Sequence, residues 1–557
     1  MLMNKIILMI LCLVSLSVHA EADYSYLLKI IDNELAEVNR LNKQIQASDS
    51  NLLLRMAELY LERGRVVKEQ ENEKFLSIPV AQRRTINKNK FFVGSKNDLS
   101  KAYKLGGYIL KKFPQTKIKG DVFYILAFYA QEFQGINKAK KYFDLAKKYS
   151  ENNSSSFKKA SLALADIFYN EKNFKQAISN YENAIDDKDS KWWTRDAFNL
   201  AWCYFREGEK NKGINLMKEV HQLSNKGSYL NLKSDAERDL AYFFADTGRV
   251  KEADQFIKKN GENPDQYIRL AKNLIDQGKS SQAIHFLVKA SAIAGLNAQQ
   301  VEINNMLLNL YEKFGEAKKH YEVAAKQFEL LKQKGFDSTY IENLNFQLKK
   351  MTSSIQEKIK SNRYADNKKF QLELADIHLG YVKIIENALP KLRSTYLYYQ
   401  AEIDYAIKNY ERAASNYLIA FNDQTRRLKK SELLKNILAC LSQLDNNSDF
   451  YKTNAQNIYE KYLVIEKDSK LKKPIYPLLF DLYVKNSKIE SAEKILNGFN
   501  KYFKTDMKTI EAMLANLLNL DEIKNNKLKF LSYVKRINER EFIVGKNFVI
   551  SGRRYLY

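Results

Sequence analysis

The sequence contains little proline and glycine: six prolines and 19 glycines occur in 557 residues. A fold of many short strands needs frequent turns, and these two residue types are prominent in turns. The rest of the sequence is dominated by Leu, Lys, Ala, Glu and Asn, with the apolar spacing of amphipathic helices. The length of the sequence, far beyond the roughly 100–200 residues of one compact domain, indicates more than one structural unit. The composition and the apolar spacing indicate the type of fold. We therefore expect an all-α chain.

Cysteine is scarce as well. Of the three cysteines, Cys12 lies in the first apolar run, whereas Cys203 and Cys440 are far apart in the sequence. An exported protein that depended on disulfides would contain more of them. We interpret Cys203 and Cys440 as small buried apolar residues.

Long apolar runs are absent after the first 20 residues. Lys5 precedes an apolar run at residues 6–18, and a small-residue cleavage site (Val-His-Ala) precedes Glu21. The run is shorter than the roughly 20 residues of a membrane-spanning helix. We therefore expect residues 1–20 to be the signal peptide of an exported protein, with an uncleaved N-terminal anchor as the alternative.

Positive charge is in excess, with 91 Lys and Arg against 66 Asp and Glu and a formal net charge of +25. Removing residues 1–20, whose one charged residue is Lys5, leaves +24. Such a balance suits nucleic acid, anionic lipid or an acidic partner. No long basic run stands out in a chain expected to be exported, so we predict no nucleic-acid partner. A generally lysine-rich composition, without a function for the charge, stays an open alternative.

One pattern recurs along the chain. Its clearest copy combines LADIFY at residues 164–169, NFKQAI at residues 173–178, Tyr181 and Ala184. Two short antiparallel helices approach closely only where one carries Ala or Gly and the other a larger side chain. Successive copies begin at Leu126, Leu164, Leu200, Leu240, Leu270 and Leu307, at spacings of 38, 36, 40, 30 and 37 residues. The turns between the paired helices contain Gly208, Gly248, Gly278 and Gly315, where a positive φ would end the first helix.

This pattern resembles the tetratricopeptide repeat, which has Leu, a small residue and an aromatic in its first helix and Ala, an aromatic and Ala in its second. Weaker copies begin at Met56 and reappear up to Leu496, so the resemblance covers most of residues 50–500. It implies an α-solenoid of helix–turn–helix repeats. In its predicted signal peptide and its tyrosine-rich helix pairs, the chain is also similar to exported bacterial proteins of outer-membrane assembly, the Tol–Pal system and gliding motility. That similarity implies a periplasmic protein, free or peripheral to the outer membrane.

The N-terminal part divides into a leading helix and a first set of repeats. An apolar spacing of 3 and 4 residues predicts a capping helix or a short coiled coil within residues 21–50. Residues 51–315 are expected to form the first repeats. A basic, mixed stretch at residues 65–100 interrupts the pattern and is predicted to be an irregular insertion.

The C-terminal part is less regular. Residues 316–395 lack clean alanine signals and are predicted to be a hinge or diverged repeats, followed by repeat-like helices at residues 396–540. In the tail, residues 541–557, apolar runs flank Gly545 and Lys546, and this pattern fits a small β-hairpin. A disordered end is the alternative.

No set of catalytic or metal-binding residues stands out. Gly278, Lys279 and Ser280 resemble the end of a phosphate loop, but the glycine required five residues earlier is replaced by Asn273. The histidines after residue 20, at positions 221, 285, 320 and 378, lack the spacing of a helical metal site. We predict that the protein is not an enzyme and uses no cofactor or metal.

The resemblance to tetratricopeptide repeats implies a binding surface, because the first helix of each repeat lines a concave groove in that family. The matching positions are Tyr124, Phe128, Tyr169, Phe198, Trp202, Phe205, Arg206, Tyr242 and Lys272. Aromatic and arginine side chains commonly anchor interfaces. We expect roughly half of these aromatic rings to pack against neighbouring helices instead.

The leading hypothesis is a non-catalytic scaffold of the bacterial cell envelope that binds a segment of a partner protein in this groove. One alternative is a basic periplasmic protein that binds anionic lipid or cell-wall glycan through its charge. Another is a non-catalytic regulator that presents an enzyme with its substrate. The sequence leaves the partner and the oligomeric state open.

Overall fold

A computed structural model describes residues 24–45, 49–185, 188–295, 298–334, 338–364, 366–423, 428–545, 548–550 and 553–554. Most of these residues lie in helices, which pack in adjacent pairs, an arrangement consistent with an α-solenoid. The all-α prediction is thereby confirmed for the part of the chain that is described, and the predicted signal segment lies outside it. Contacts divide the chain into two compact units, Met1–Lys279 and Ser280–Tyr557.

The first unit consists of helices that follow one another with short connections. They are α1 (Tyr24–Gln44), α2 (Ser50–Ser77), α3 (Val80–Arg83), α4 (Lys88–Phe91), α5 (Val93–Lys112), α6 (Lys119–Phe133), α7 (Ile136–Tyr149), α8 (Ser155–Asn170), α9 (Phe174–Glu182), α10 (Trp193–Arg206), α11 (Lys210–Leu223), α12 (Lys233–Thr247), α13 (Val250–Lys259) and α14 (Pro264–Asp276).

The second unit continues in the same way and ends in a short antiparallel ladder. Its elements are α15 (Ser280–Ile293), α16 (Ala298–Phe314), α17 (Ala317–Lys334), α18 (Ser338–Lys360), a 3₁₀ turn (Asn362–Tyr364), α19 (Lys368–Ala388), a second 3₁₀ turn (Pro390–Leu392), α20 (Arg393–Ala406), α21 (Tyr410–Asn422), α22 (Lys430–Leu441), α23 (Asp449–Ile465), α24 (Ser469–Lys472), α25 (Ile475–Lys485), α26 (Ile489–Tyr502), α27 (Met507–Leu518), α28 (Asp521–Lys524), α29 (Lys527–Asn538), β1 (Val549–Ile550) and β2 (Arg553–Arg554).

Fully buried alanines lie in the helices of the pairs. In the pair α8–α9, Ala165 and Ala177 are fully buried, and the ring of Tyr181 packs in the same apolar cluster. A side chain longer than a methyl group at either alanine would separate the two helices. Second helices elsewhere carry the same buried alanine, at Ala139, Ala253, Ala283, Ala413 and Ala492.

The turns within the pairs reverse the chain through one residue of positive φ. Gly248 has φ +69°, and the next residue, Arg249, donates its backbone N–H to the carbonyl of Phe244 at 3.0 Å. This six-residue bond satisfies a carbonyl at the helix end, as in a Schellman motif. The predicted turn glycines Gly208, Gly278 and Gly315 also have positive φ, and three turns use Lys172, Lys408 and Ser487 instead.

Residues 65–100, predicted to be an insertion, are largely helical. Helix α2 runs without a break to Ser77, the short helices α3 and α4 follow, and α5 returns to pack along α2. On its other side α2 contacts α1, which buries Ile31, Leu35 and Val38. The capping role of α1, and the alternative of a coiled coil, stay predictions.

Residues 316–395 form three helices of 18, 23 and 21 residues: α17, α18 and α19. After the preceding turn, Ala283 lies five residues beyond the turn glycine Gly278. The equivalent position, five residues beyond Gly315, is occupied by His320. The small residue is supplied by α19 instead, because a Cβ atom on Gly380 would lie 2.3 Å from the ring of Tyr321. This exchange explains why the alanine signal is missing from the sequence.

The tail packs against the last helices through Phe542 and again through Phe548. Phe542 is 1% exposed, and the carbonyl of Glu541 accepts a hydrogen bond of 2.8 Å from the Asn500 side chain. In the ladder, Val549 pairs with Arg554 and Ile550 with Arg553. Residues 541–545 lie outside any strand and Lys546 is outside the described residues, so a hairpin around Gly545 stays a prediction.

Both cysteines that follow the predicted signal segment are free and buried, as their isolation in the sequence indicated. Burial raises the pKa of each thiol, Cys203 and Cys440, to about 12. They therefore act as small core side chains.

Among the helices of the described residues, none combines the length and apolar character needed to cross a lipid bilayer.

Candidate partner-binding surface

The nine residues predicted to line a groove all lie in the first unit, on the first helices of successive pairs. Tyr124 and Phe128 belong to α6, Tyr169 to α8, Phe198, Trp202, Phe205 and Arg206 to α10, Tyr242 to α12 and Lys272 to α14. The structure brings some of them together in two clusters, described below.

The larger cluster is centred on Trp202. Its ring is stacked on that of Tyr242 from the next first helix, with 5.8 Å between centroids and 25° between planes. The guanidinium carbon of Arg206 lies 5.1 Å from the Trp202 centroid, within range of a cation–π interaction. Trp202 and Tyr242 are partly buried and Arg206 is exposed, so the cluster presents aromatic edges and a cation to solvent.

A buried carboxylate orients this cluster. Trp202 donates its indole N–H to Oδ2 of Asp239 at 2.7 Å, and Arg238 donates from Nε to the other oxygen at 2.9 Å. Asp239 is 8% exposed, so both carboxylate oxygens have a donor in a site with little water. A charge-assisted hydrogen bond of this kind holds the indole in one orientation.

Tyr169 on α8 belongs to the same electrostatic environment. Burial is the main cause that raises the pKa of its hydroxyl; Cys203 and Asp239 add to the effect, and Arg206 opposes it. The ring of Tyr169 packs edge-on against Phe174, with 6.1 Å between centroids.

Phe205 is a core residue rather than a surface residue. It is 1% exposed and is stacked on Phe243 at 3.8 Å with 6° between the ring planes. The ammonium of Lys210 lies 3.6 Å from its centroid, over a face of the ring. The expectation that Phe205 lines the surface is therefore corrected, because the facing helix supplies a ring that covers it.

The smaller cluster joins α2 to α6. Arg65 donates from Nη2 to the Tyr124 hydroxyl at 3.0 Å, and its guanidinium carbon lies 4.2 Å from the centroid of Phe128. Both rings are partly buried. This cluster repeats the chemistry of the first one, an arginine over aromatic rings on a first helix.

The two other predicted residues also lie on first helices. Phe198 is partly buried on α10, one turn before Trp202, and Lys272 is exposed on α14. Their role in binding stays a prediction.

Sequence reasoning missed two residues that complete the clusters. Asp239 directly precedes the Leu-Ala pair at residues 240–241, and this acidic residue next to a repeat signal could have been noticed. Arg65 lies at the start of the stretch interpreted as an insertion, so nothing in the repeat pattern pointed to it.

The described residues contain no group of three or more His, Cys, Asp or Glu that could hold a metal ion. The phosphate-loop-like residues lie in a helix turn: the backbone N–H of Lys279 donates to the carbonyl of Leu274 at 2.7 Å, as in the other turns. Gly278 has a positive φ and belongs to that turn.

A comparison with protein-family models and with curated proteins finds no match for this sequence.

Proposed function

We propose that the chain is a tetratricopeptide-type scaffold without catalytic activity, exported to the periplasm of a bacterium, that holds a segment of a partner protein. The repeat type is supported by the buried alanines of the second helices and by the recurring positive-φ turns. Export is supported by the sequence of residues 1–20.

The observation that carries the binding proposal is the Trp202 cluster. A tryptophan, a tyrosine and an arginine are partly accessible on consecutive first helices, and a buried carboxylate holds the indole in place. Such preorganised aromatic and arginine side chains are the types that dominate binding energy in interfaces. The partner segment lies across α10 and α12 and contacts Trp202 and Arg206.

The test compares capture of envelope proteins by the full chain and by two tryptophan variants. Trp202→Ala removes the indole at the centre of the surface and is expected to lose the partner. Trp192→Ala is the matched control, since Trp192 is 44% exposed just before α10 and lies outside the cluster. Capture by the control variant is expected to equal that of the unchanged chain.

A salt series separates this proposal from attachment through charge alone. At 1 M salt the Debye length is about 3 Å, so a complex held by aromatic contacts should survive while a purely electrostatic one dissociates. Release of the partner by salt, together with unchanged binding by Trp202→Ala, would overturn the proposal in favour of the charge alternative.

A further inference from the structure

Six lysines and no acidic residue occur between Leu99 and Gly120. Elsewhere in the first unit lysines commonly pair with carboxylates, as Lys140 does with Glu171 at 2.8 Å. Residues 74–97 of the same unit have a similar bias, with six basic and no acidic residues. The segment between Leu99 and Gly120 is the one that includes the end of α5 and the start of α6.

The fold gathers these lysines at one end of three antiparallel helices. Helix α5 ends at Lys112, α6 begins at Lys119 and α7 ends at Tyr149. The ends of α6 and α7 meet closely, because a Cβ atom on Gly120 would lie 2.1 Å from Oγ of Ser150. Lys148, near the end of α7, is thereby added to the lysines of α5 and α6.

Two exposed tyrosines lie among the lysines. Tyr149 is 42% exposed, with the ammonium groups of Lys119 and Lys148 at 5.4 and 5.8 Å from its centroid. Tyr108 is 43% exposed, with the ammonium of Lys112 at 5.4 Å. Both rings therefore combine an exposed apolar face with adjacent positive charge.

The positive charge of this surface is compensated only in part. Within the described part of the chain, Lys111, Lys117, Lys119 and Lys148 make no ion pair. The nearby carboxylate of Asp121 accepts a hydrogen bond from Ser156. Asp121 keeps its negative charge in this bond. Glu151, just beyond α7, and Asp49, next to the Ser50 side chain that lies 3.4 Å from Thr116, are exposed acidic residues at the same end. The six lysines at this end outnumber these three carboxylates, so the balance stays positive.

We propose that this lysine–tyrosine face (Lys104, Tyr108, Lys111, Lys112, Lys117, Lys119, Lys148 and Tyr149) binds the anionic headgroup layer of a lipid membrane. Clustered lysines are attracted to a negatively charged lipid surface. Tyrosine favours the same layer, because its ring contacts the acyl boundary while its hydroxyl stays hydrated. The inference does not depend on the Trp202 cluster, which involves other residues and other helices.

The test measures co-sedimentation of the full chain with vesicles of phosphatidylcholine alone and of phosphatidylcholine with about one third phosphatidylglycerol. The variant Lys111→Gln, Lys112→Gln, Lys117→Gln, Lys119→Gln removes four charges from the face. Because each lysine near an anionic surface contributes about fivefold to affinity, binding to the anionic vesicles should fall at least about tenfold. Binding to neutral vesicles should be undetectable for every protein.

The matched control removes four charges from exposed lysines of the second unit: Lys391→Gln, Lys485→Gln, Lys494→Gln, Lys504→Gln. It should bind anionic vesicles within about twofold of the unchanged chain. The double variant Tyr108→Ala, Tyr149→Ala keeps every charge and should still bind anionic vesicles more weakly than the unchanged chain. Circular dichroism verifies that all variants stay helical. Absence of binding by the unchanged chain, or equal loss in both lysine variants, would overturn the proposal.

Discussion

The Tyr181 hydroxyl donates a hydrogen bond of 2.6 Å to Oδ1 of Asp166 and so joins the two helices of the pair α8–α9. In the second unit the Tyr417 hydroxyl donates to Glu402 at the same separation of 15 residues. Both rings are at most 2% exposed. Burial, and then the charge of Asp166, raise the pKa of Tyr181. The shared spacing and partner type are what two copies of one repeat would produce.

Tyr181→Phe should lower the free energy of unfolding by about 1–2 kcal/mol, because Asp166 loses a hydrogen-bond donor in a poorly hydrated site. Urea denaturation followed by circular dichroism measures the change. Tyr502→Phe is the control, since Tyr502 is 60% exposed and its replacement should leave the midpoint unaltered. Equal midpoints for all three proteins would show that the bond contributes nothing to stability.

Ala177→Leu and Ala283→Leu should each destabilise their unit by about 1–3 kcal/mol, because a larger side chain at a close helix contact forces the helices apart. Both alanines are 0% exposed. Ala292→Leu, at an exposed position of α15, should be neutral. Melting temperatures that do not differ between buried and exposed sites would contradict the helix contacts described above.

Asp196 should make the first unit less stable at neutral pH. Burial raises the pKa of this carboxyl to about 6, although Arg195 acts in the opposite direction. Because the folded pKa lies above the unfolded value of about 3.9, stability is lost as the pH rises through 6. Asp196→Asn should therefore raise the free energy of unfolding by about 1–3 kcal/mol at pH 8 and not at all below pH 4.

The control for this series is Asp276→Asn, which changes an exposed carboxylate on α14. Its unfolding free energy should follow that of the unchanged chain at every pH. A benefit of Asp196→Asn that persisted undiminished at pH 4 would refute the titration argument.

The second unit should respond to acid in the opposite sense. His320 and His378 are fully buried, and burial lowers the pKa of each to about 4. Since the unfolded value is about 6.5, stability is complete above pH 6.5 and is lost as the pH falls towards 4. At pH 5 each histidine should cost about 2 kcal/mol, visible by scanning calorimetry as a lower transition temperature.

Two histidine variants test whether the loss of stability in acid comes from His378 rather than from other titrating groups. His378→Gln should reduce the dependence of the transition temperature on pH between 6.5 and 5, whatever its effect on stability at neutral pH. His285→Gln, at an exposed position, should preserve the full dependence. An identical slope in both variants would rule out His378 as a source.

The start of the tail should stabilise the end of the second unit. Phe542 is 1% exposed, and the guanidinium carbon of Arg536 lies 4.5 Å from its ring centroid. Phe542→Ala should therefore destabilise the unit by about 2–4 kcal/mol. Ile543→Ala changes the next residue, which is 40% exposed, and should have little effect. Equal melting temperatures for the two variants would show that the packing of Phe542 does not stabilise the unit.

The sequence by itself determined the helices and much of their pairing. Small residues such as Ala177 and Ala283 must lie where two helices nearly touch, and this requirement is visible in the order of residues. Gly248 and Gly278 indicate turns of positive φ, because glycine adopts that conformation without strain. These are local constraints, so the sequence alone indicates them.

The tertiary structure decided which side chains became surface and which became core. Trp202 and Phe205 lie three residues apart on one helix, yet Asp239 holds the first at the surface and Phe243 covers the second. It also decided that Lys172 adopts a positive φ without being glycine, since the helices on both sides fix the turn. Both outcomes depend on residues of other helices, and helical periodicity contains no information about which side chain a neighbouring helix will place opposite.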